Sequence, residues 1–509
     1  MRYGFAIDQR TCIGCHACTV ACKTEHQVPV GQFRTWVKYV DQGRFPNSTR
    51  DFGVMRCNHC TDAPCVRICP TGALWKRTDG IVDFDRDRCI GCKSCMQGCP
   101  YDAIYIDAVT NTAAKCNFCA HRVDADLEPA CVVVCPTHSI WVGDLDDPAS
   151  GISQLVNSNP VSVRAPEQNT GPNVFYLGAD RAVLDPLGAP VDDTYVFSTP
   201  DQHRLDVGGD LPVDPVSGAR TTLNTPHPRP WGWRVTTYLW TKGLGGGALL
   251  VAALAVLLGV DLGLISTIVA PALGVAGTAA TGLLLVTDLK RPERFLYIVT
   301  RSNFRSWLVL GAYALGAFAL VSGLWLLYGI GVATGLAAPS DAVRSVLAVA
   351  ALPTGVMVAG YTAFLFGQAE GRDLWQSPLL FWHLTVQAVM VGAGALAVAA
   401  TIAGSDGVFV TRALVVATAL HVLMLLLEYG GRHASRHAAA AAHMVTHGRY
   451  ARTFWLGAVL LAGLAAVLAA PGWDGGAPVL TVVGGLAVQV ALLAYESVFV
   501  RAGQDVPLS

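Results

Sequence analysis

A chain of 509 residues with 52% hydrophobic and only 14% charged side chains is too poor in charge for an ordinary soluble protein, where about 25% is usual. A net charge of −1 excludes the basic balance of a nucleic-acid-binding protein, so no nucleic-acid partner is expected. Charged side chains are frequent in 1–145, whereas Ala, Leu, Val and Gly dominate 238–500, which implies water around the first part and lipid around the second.

The opening residues, MRYGFAIDQRTC, contain neither the apolar core of a signal peptide nor a twin arginine, and export by a signal of its own is not expected. All 16 cysteines follow, between Cys12 and Cys135. Cys12, Cys15, Cys18 and Cys22 form C-x2-C-x2-C-x3-C, and Cys89, Cys92, Cys95 and Cys99 repeat it. Cys57, Cys60, Cys65 and Cys69 form C-x2-C-x4-C-x3-C; Cys116, Cys119, Cys131 and Cys135 form C-x2-C-x11-C-x3-C. Four quartets use every cysteine. Disulfides are a poor reading, because neighbours in such runs would compete for every partner. Zinc favours paired C-x2-C units and does not need such dense runs.

A cubane iron–sulfur cluster does explain the spacing. Three closely spaced thiolates wrap one face, loop amides point at the sulfurs, and the fourth cysteine of a run serves the other cluster of a pair. Pro70, Pro100 and Pro136 directly follow three of the fourth cysteines and stop the short helix there; Lys23 follows Cys22 instead. FAIDQRTCIGCHAC (5–18) and VDFDRDRCIGCKSC (82–95) are one motif written twice: a short strand, an Asp-rich turn, then the cysteine loop. The expected fold of this part is a duplicated ferredoxin-like α+β domain with four [4Fe–4S] clusters.

On these motifs, residues 1–180 resemble the four-cluster iron–sulfur subunit of molybdopterin oxidoreductases, the dimethyl sulfoxide reductase, polysulfide reductase and formate dehydrogenase type. The resemblance implies a crossed ligand pairing. Cys12, Cys15, Cys18 and Cys135 would hold one cluster; Cys116, Cys119, Cys131 and Cys22 the next; Cys57, Cys60, Cys65 and Cys99 the third; Cys89, Cys92, Cys95 and Cys69 the fourth. Residues 163–178 are similar to the segment that closes the domain in that family.

Residues 181–228, rich in Pro, Asp, Gly and Thr, are read as a linker that packs along the ferredoxin part. Eight apolar runs follow, each near the 20 or so residues that cross a bilayer: roughly 238–259, 264–287, 307–330, 343–367, 378–403, 410–428, 453–470 and 477–500. An all-α transmembrane bundle over 229–509 is expected, with small residues for close helix packing. WGW (231–233), DLKRPERF (288–295), SW (306–307), GYTAFLF (360–366) and the closing RAGQDVPLS resemble, in that order, the eight-helix membrane subunit of the polysulfide reductase (NrfD) type. Relatives usually carry the two parts on separate chains.

With eight crossings, both ends of the bundle lie on one side. That side carries Lys290, Arg291, Arg294, Arg301, Arg305, Arg372, Arg432, Arg436, Arg449, Arg452 and Arg501; the far side carries Arg344 and Arg412. The positive-inside rule then puts the iron–sulfur domain on the cytoplasmic face of the cell membrane.

Polar residues within the apolar runs are the candidates for function. Tyr238 and Lys242 share one helix face, as do His383 and Gln387. Tyr361 matches a tyrosine that the resembled family uses near quinone. Tyr238, Lys242, Tyr361 and His383 are therefore the expected quinone (menaquinone or ubiquinone) site, the alternative for each being an interfacial anchor or an interhelical hydrogen bond. Asp288 and Glu428 are candidates for a proton path. His383 and His421 leave a bis-histidine haem open. No motif supplies a catalytic residue for substrate chemistry.

The resemblances imply an electron-transfer and membrane-anchor subunit of a respiratory oxidoreductase. A molybdopterin- or tungsten-containing catalytic partner would stand on one side and the quinone pool in membrane lipid on the other. An ion-translocating module of a larger respiratory complex, or a quinone reductase fed by soluble ferredoxin, are the rival readings.

Overall fold

The two copies of the cysteine motif take the same backbone path. Gly14 and Gly91 both have φ 67°, and His16 and Lys93 are left-handed at φ 61° and 67°. A Cβ at Gly91 would press on the backbone carbonyl of Asn111, so glycine is needed there for room as well as for φ. The strand Tyr3–Asp8 leads into the first loop and Val82–Phe84 into the second. The helix after the first loop, Ala17–His26, runs through Cys22, where Lys23 offers no stop. The short helices Pro64–Ile68 and Ser94–Gly98 end just before Cys69 and Cys99, whose following prolines cannot continue them.

This is the computed structural model of the chain; it describes residues 1–196, 218–225 and 228–509. Tyr3–Asp8 pairs antiparallel with Ile140–Asp144 and parallel with Val174–Leu177, which in turn pairs with Val161–Ser162. The stretch 163–178 thus returns the chain to the first strand. A second sheet is built on the hairpin of Thr35–Arg44 and Asn47–Arg56. Arg220–Leu223 and Val191–Val196, both from the connector, extend that hairpin edge. The connector therefore contributes a short helix, Arg181–Leu184, and two pieces of sheet; 197–217 and 226–227 lie outside the described residues.

Among the described residues eight helices are long and apolar enough to span a membrane: Trp233–Leu257, Ile265–Asp288, Trp307–Ala333, Asp341–Gly367, Leu380–Ala403, Val408–Gly430, Thr453–Asp474 and Pro478–Asp505. The first starts five residues before the expected run, and the last ends five residues after it. Those extra turns hold Arg234, Thr236, Thr237, Arg501, Gln504 and Asp505, which hide them from an apolar count, and Thr236, Gln504 and Asp505 are buried. The first helix is the most enclosed of the eight. Gly247 on it and Gly392 on the fifth allow backbone contact, since a Cβ at either would collide with the other helix's main chain. Leu320, Leu327, Leu427, Val467 and Val479 stay exposed on the outer faces, as lipid contact requires.

Candidate metal centres and a membrane pocket

The crossed neighbourhoods arise because each strand–loop–helix unit sends its fourth cysteine back across the duplicated fold. Cys22 lies within electrostatic reach of Cys116, Cys119 and Cys131. Cys12 faces Cys135 and Cys15. Cys65 faces Cys99, Cys57 and Cys60. Cys69 is a neighbour of both Cys89 and Cys92. The sets also come within electrostatic reach of one another in order: Cys18 of Cys131, Cys57 of Cys116, and Cys95 of Cys65. One end of this string is the exposed Cys15.

All sixteen thiols are free. Among the described residues no three Cys, His, Asp or Glu side chains close to the spacing of a single bound ion. A cubane spreads its four ligands wider than one tetrahedral ion does, and its donor set is four thiolates, the residue type each set supplies. Backbone amides already point at sulfur: Gly91 N–H and Ala113 N–H donate to Cys89 Sγ at 3.4 and 3.3 Å, and Ser139 N–H donates to Cys135 Sγ at 3.3 Å. Cys69, Cys89, Cys92 and Cys95 line a cavity with Pro70 and Ala113. Burial pushes the thiol of Cys18 up to about 11 and those of Cys60, Cys92, Cys99 and Cys119 up to about 12, so iron must displace protons as it binds. His26 Nε2 lies 3.1 Å from Cys119 Sγ; burial, then the Arg34 charge, push that imidazole down to about 4 and keep it neutral.

The segment between the second and third spanning helices grips the fourth set and its neighbour Ile68 by their backbone. Arg294 Nη1 donates to Cys89 O at 3.0 Å, Asn303 Nδ2 to Cys69 O at 2.8 Å and Ser306 Oγ to Ile68 O at 2.7 Å. Lys93 pairs with Asp288 at 2.6 Å. Arg372, fully buried, donates to Gln97 Oε1 and to the carbonyls of Gln504 and Val506. Gln97 Nε2 donates to Gln504 Oε1 at 2.6 Å, and Trp231 N–H shares that acceptor. The sequence motifs named above are, in large part, this joint.

Just beneath it opens a pocket. Its walls include Cys92, Trp231, Tyr238, Asp288, Tyr361 and Leu365. Two of the four expected quinone residues, Tyr238 and Tyr361, line it. Lys242 sits behind Tyr361, its Nζ 4.8 Å from the ring centroid, and donates to Ala359 O at 2.8 Å. His383 lies elsewhere. Its Nε2 is 3.0 Å from His421 Nδ1, and its Nδ1 is 3.3 Å from Glu428 Oε2. Two imidazoles in direct contact leave no gap between them for a haem. Gln387, on the same face, is 2% exposed with no partner for its amide atoms. Glu496, fully enclosed, feels the charge of Lys242. It went unnoticed in the sequence, although a carboxylate inside the apolar run ALLAYESVFV was a sufficient signal.

Free thiols in sets of four beside an eight-helix bundle define an iron–sulfur electron-transfer protein anchored in a membrane. Residues 49–145 match the family described as 4Fe-4S dicluster domain, and residues 221–504 match that described as Polysulphide reductase, NrfD. The chain belongs to the NrfD family, with the iron–sulfur part fused to it, and it carries [4Fe–4S] clusters. Its first part is 46% identical over 190 residues to a subunit of the tetrathionate reductase of Salmonella typhimurium, covering 36% of this chain and 76% of that one. It is 36% identical over 225 residues to the arsenate respiratory reductase iron-sulfur subunit ArrB of Shewanella, covering 35% and 96%. With a subunit of the polysulfide reductase of Wolinella succinogenes the identity is 38% over 187 residues, covering 36% and 98%.

Proposed function

We propose that this chain holds four [4Fe–4S] clusters, on the sixteen cysteines in the crossed sets above, and connects a molybdopterin- or tungsten-containing catalytic subunit to the quinone pool. The observation that carries the reading is the unbroken string of thiol sets between the exposed Cys15 and Cys92, a wall residue of the pocket. Bound clusters would supply one-electron steps along that string. Tyr238 and Tyr361 would offer hydroxyls to a quinone's oxygens, and the joint would keep the pocket under the nearest centre. The relatives' names, reductases of tetrathionate, arsenate and polysulfide, support quinol oxidation as the direction. The iron–sulfur part would face the cytoplasm, with domain limits near 180 and 229.

The test is composition. Anaerobically purified protein should contain about sixteen iron and sixteen labile sulfide per chain, since each of four cubanes has four of each, and molybdenum or tungsten should copurify with a second chain. Stoichiometric zinc with little iron would end the reading.

One observation favours the energy-coupling alternative as a second reading. His383 and His421 form a buried hydrogen-bonded pair apart from the pocket, the half-buried Glu428 carboxylate lies 3.3 Å from His383 Nδ1, and Glu496 lies within charge reach of Lys242. Such an arrangement could move protons. Proton uptake or release beyond the quinone stoichiometry, measured in sealed proteoliposomes, would favour it.

A further inference from the structure

We propose that Arg56 and Lys115 set the reduction potentials of the centres they lie between, and allow neighbouring centres to hold electrons at the same time. This rests on the four-cluster reading and adds to it.

Both cations are the last residue of a strand and stand immediately before the first cysteine of a quartet: Asn47–Arg56 before Cys57, and Ala113–Lys115 before Cys116. Strand geometry turns each side chain inward, and both are 0% exposed. Arg56 Nη1 donates to Cys131 Sγ at 3.3 Å, while its Nε and Nη2 are buried with no partner. Its guanidinium is 4.4 Å from the Phe5 ring centroid. The thiols whose charges act on it are Cys131 and Cys116 of the second set and Cys18 of the first. Lys115 Nζ donates to the carbonyls of Cys116, at 2.8 Å, and of Val82. Its charge also reaches Cys57 and Cys65 of the third set. One buried cation thus stands between the first and second sets, and another between the second and third.

An unpaired buried guanidinium is strongly unfavourable, and arginine cannot escape by losing its proton. The compensating negative charge must come from its surroundings, which here are thiol sets on two sides. A cubane with four thiolates is a net anion and gains one more charge on reduction. A fixed cation between two such anions stabilises the reduced form of each, which raises both potentials. It also offsets their mutual repulsion, which is severe in a low-dielectric interior. That matters because a quinol releases two electrons into a string of one-electron carriers, so the second must enter while the first is still near.

The experiment is a redox titration of the full chain followed by electron paramagnetic resonance, comparing Arg56→Gln, Arg56→Lys, Lys115→Gln and Lys115→Arg with the unaltered protein. Arg56→Gln should lower the potentials of the first and second centres, with at least a tenfold fall in the reduction equilibrium constant of each, about 59 mV for one electron. The fourth centre should not move. Lys115→Gln should shift the second and third centres, and Arg56→Lys and Lys115→Arg should restore most of the unaltered values. Unchanged potentials with four centres present would overturn the proposal. A uniform shift of all four centres, or failure of the charge-conserving variants to restore them, would overturn it too, by marking a structural role. Should Arg56→Gln lose its iron, Lys115→Gln decides by the same criteria. Absence of four centres from the unaltered protein would instead remove the four-cluster reading.

Discussion

Lys93 Nζ lies 2.6 Å from Asp288 Oδ2, an ion pair between the residue after Cys92 and the last residue of the second spanning helix. Side-chain exposure is 6% for the lysine and 16% for the aspartate. The same aspartate, and Cys92 itself, line the pocket. This contact therefore belongs both to the joint and to the wall between the fourth thiol set and the membrane interior. Asp288→Lys or Lys93→Asp alone should loosen the joint, since breaking a buried pair costs up to about 3–5 kcal/mol. The exchanged pair, Lys93→Asp with Asp288→Lys, should regain part of that loss. A double-mutant cycle on thermal stability and on quinol-linked turnover measures it. Additive losses would mean that the pair contributes no coupling.

Cys22 tests the crossed arrangement. Its electrostatic neighbours are Cys116, Cys119 and Cys131, not the triplet that precedes it in sequence. Cys22→Ser should therefore alter the paramagnetic signal of the second centre and leave that of the first intact. If the signal that disappears is the one also removed by Cys12→Ser, the sets are wired differently.

Much of this was readable in the chain because its constraints are local. Cysteine spacing follows from cluster geometry, and apolar runs follow from bilayer thickness, so the quartets and eight spans needed no tertiary knowledge. The two glycine-containing loops could be paired by their repeated CIGC. The joint was visible only as unexplained motifs: Asp288, Arg294 and Ser306 make sense once Lys93, Cys89 O and Ile68 O are opposite them. Depth along its helix puts His383 level with the pocket residues. Depth does not fix the direction of a side chain around the axis, and helix five turns His383 towards His421. Arg220–Leu223 in the connector is too short, at four residues, to show a pattern of its own, and the partner that makes it a strand is the edge of a hairpin more than a hundred residues earlier.

Orientation calls for a reporter away from the joint. The carbonyl of Ser509 accepts from Asn224 Nδ2 at 3.0 Å, so a fusion at that end would disturb packing. Several cations in the charge count also serve the joint, Arg372 and Arg294 among them, and their number is not a measure of orientation alone. Leu336, 87% exposed between the third and fourth spans, lies on the opposite face. A reporter active only outside the cytoplasm should work when inserted after Leu336, and one active only in the cytoplasm should stay silent there. The reverse pattern would turn the iron–sulfur part outward.

The pocket makes the sharpest separation among the four expected quinone residues. Tyr361 is held from two sides: Lys242 lies behind its ring, and Gly311 lets the third spanning helix approach so closely that a Cβ there would collide with the ring. Tyr361→Phe keeps the ring and removes the hydroxyl, while Gly311→Ala keeps the hydroxyl and displaces the ring. Each should raise the KM for quinol about tenfold or more, a loss of about 1.4 kcal/mol in binding. Lys242→Met should do the same by freeing Tyr361. His383→Ala should behave differently, because His383 bonds to His421, faces Glu428 at 3.3 Å and does not line the pocket. Its expected effect is a lower kcat at nearly unchanged KM, as a proton-handling residue would give. In all four variants the clusters should remain reducible by dithionite, and dye-linked activity of the assembled complex should persist. A raised KM in His383→Ala alone, with the Tyr361 and Gly311 variants unaffected, would move the quinone site to the histidine pair.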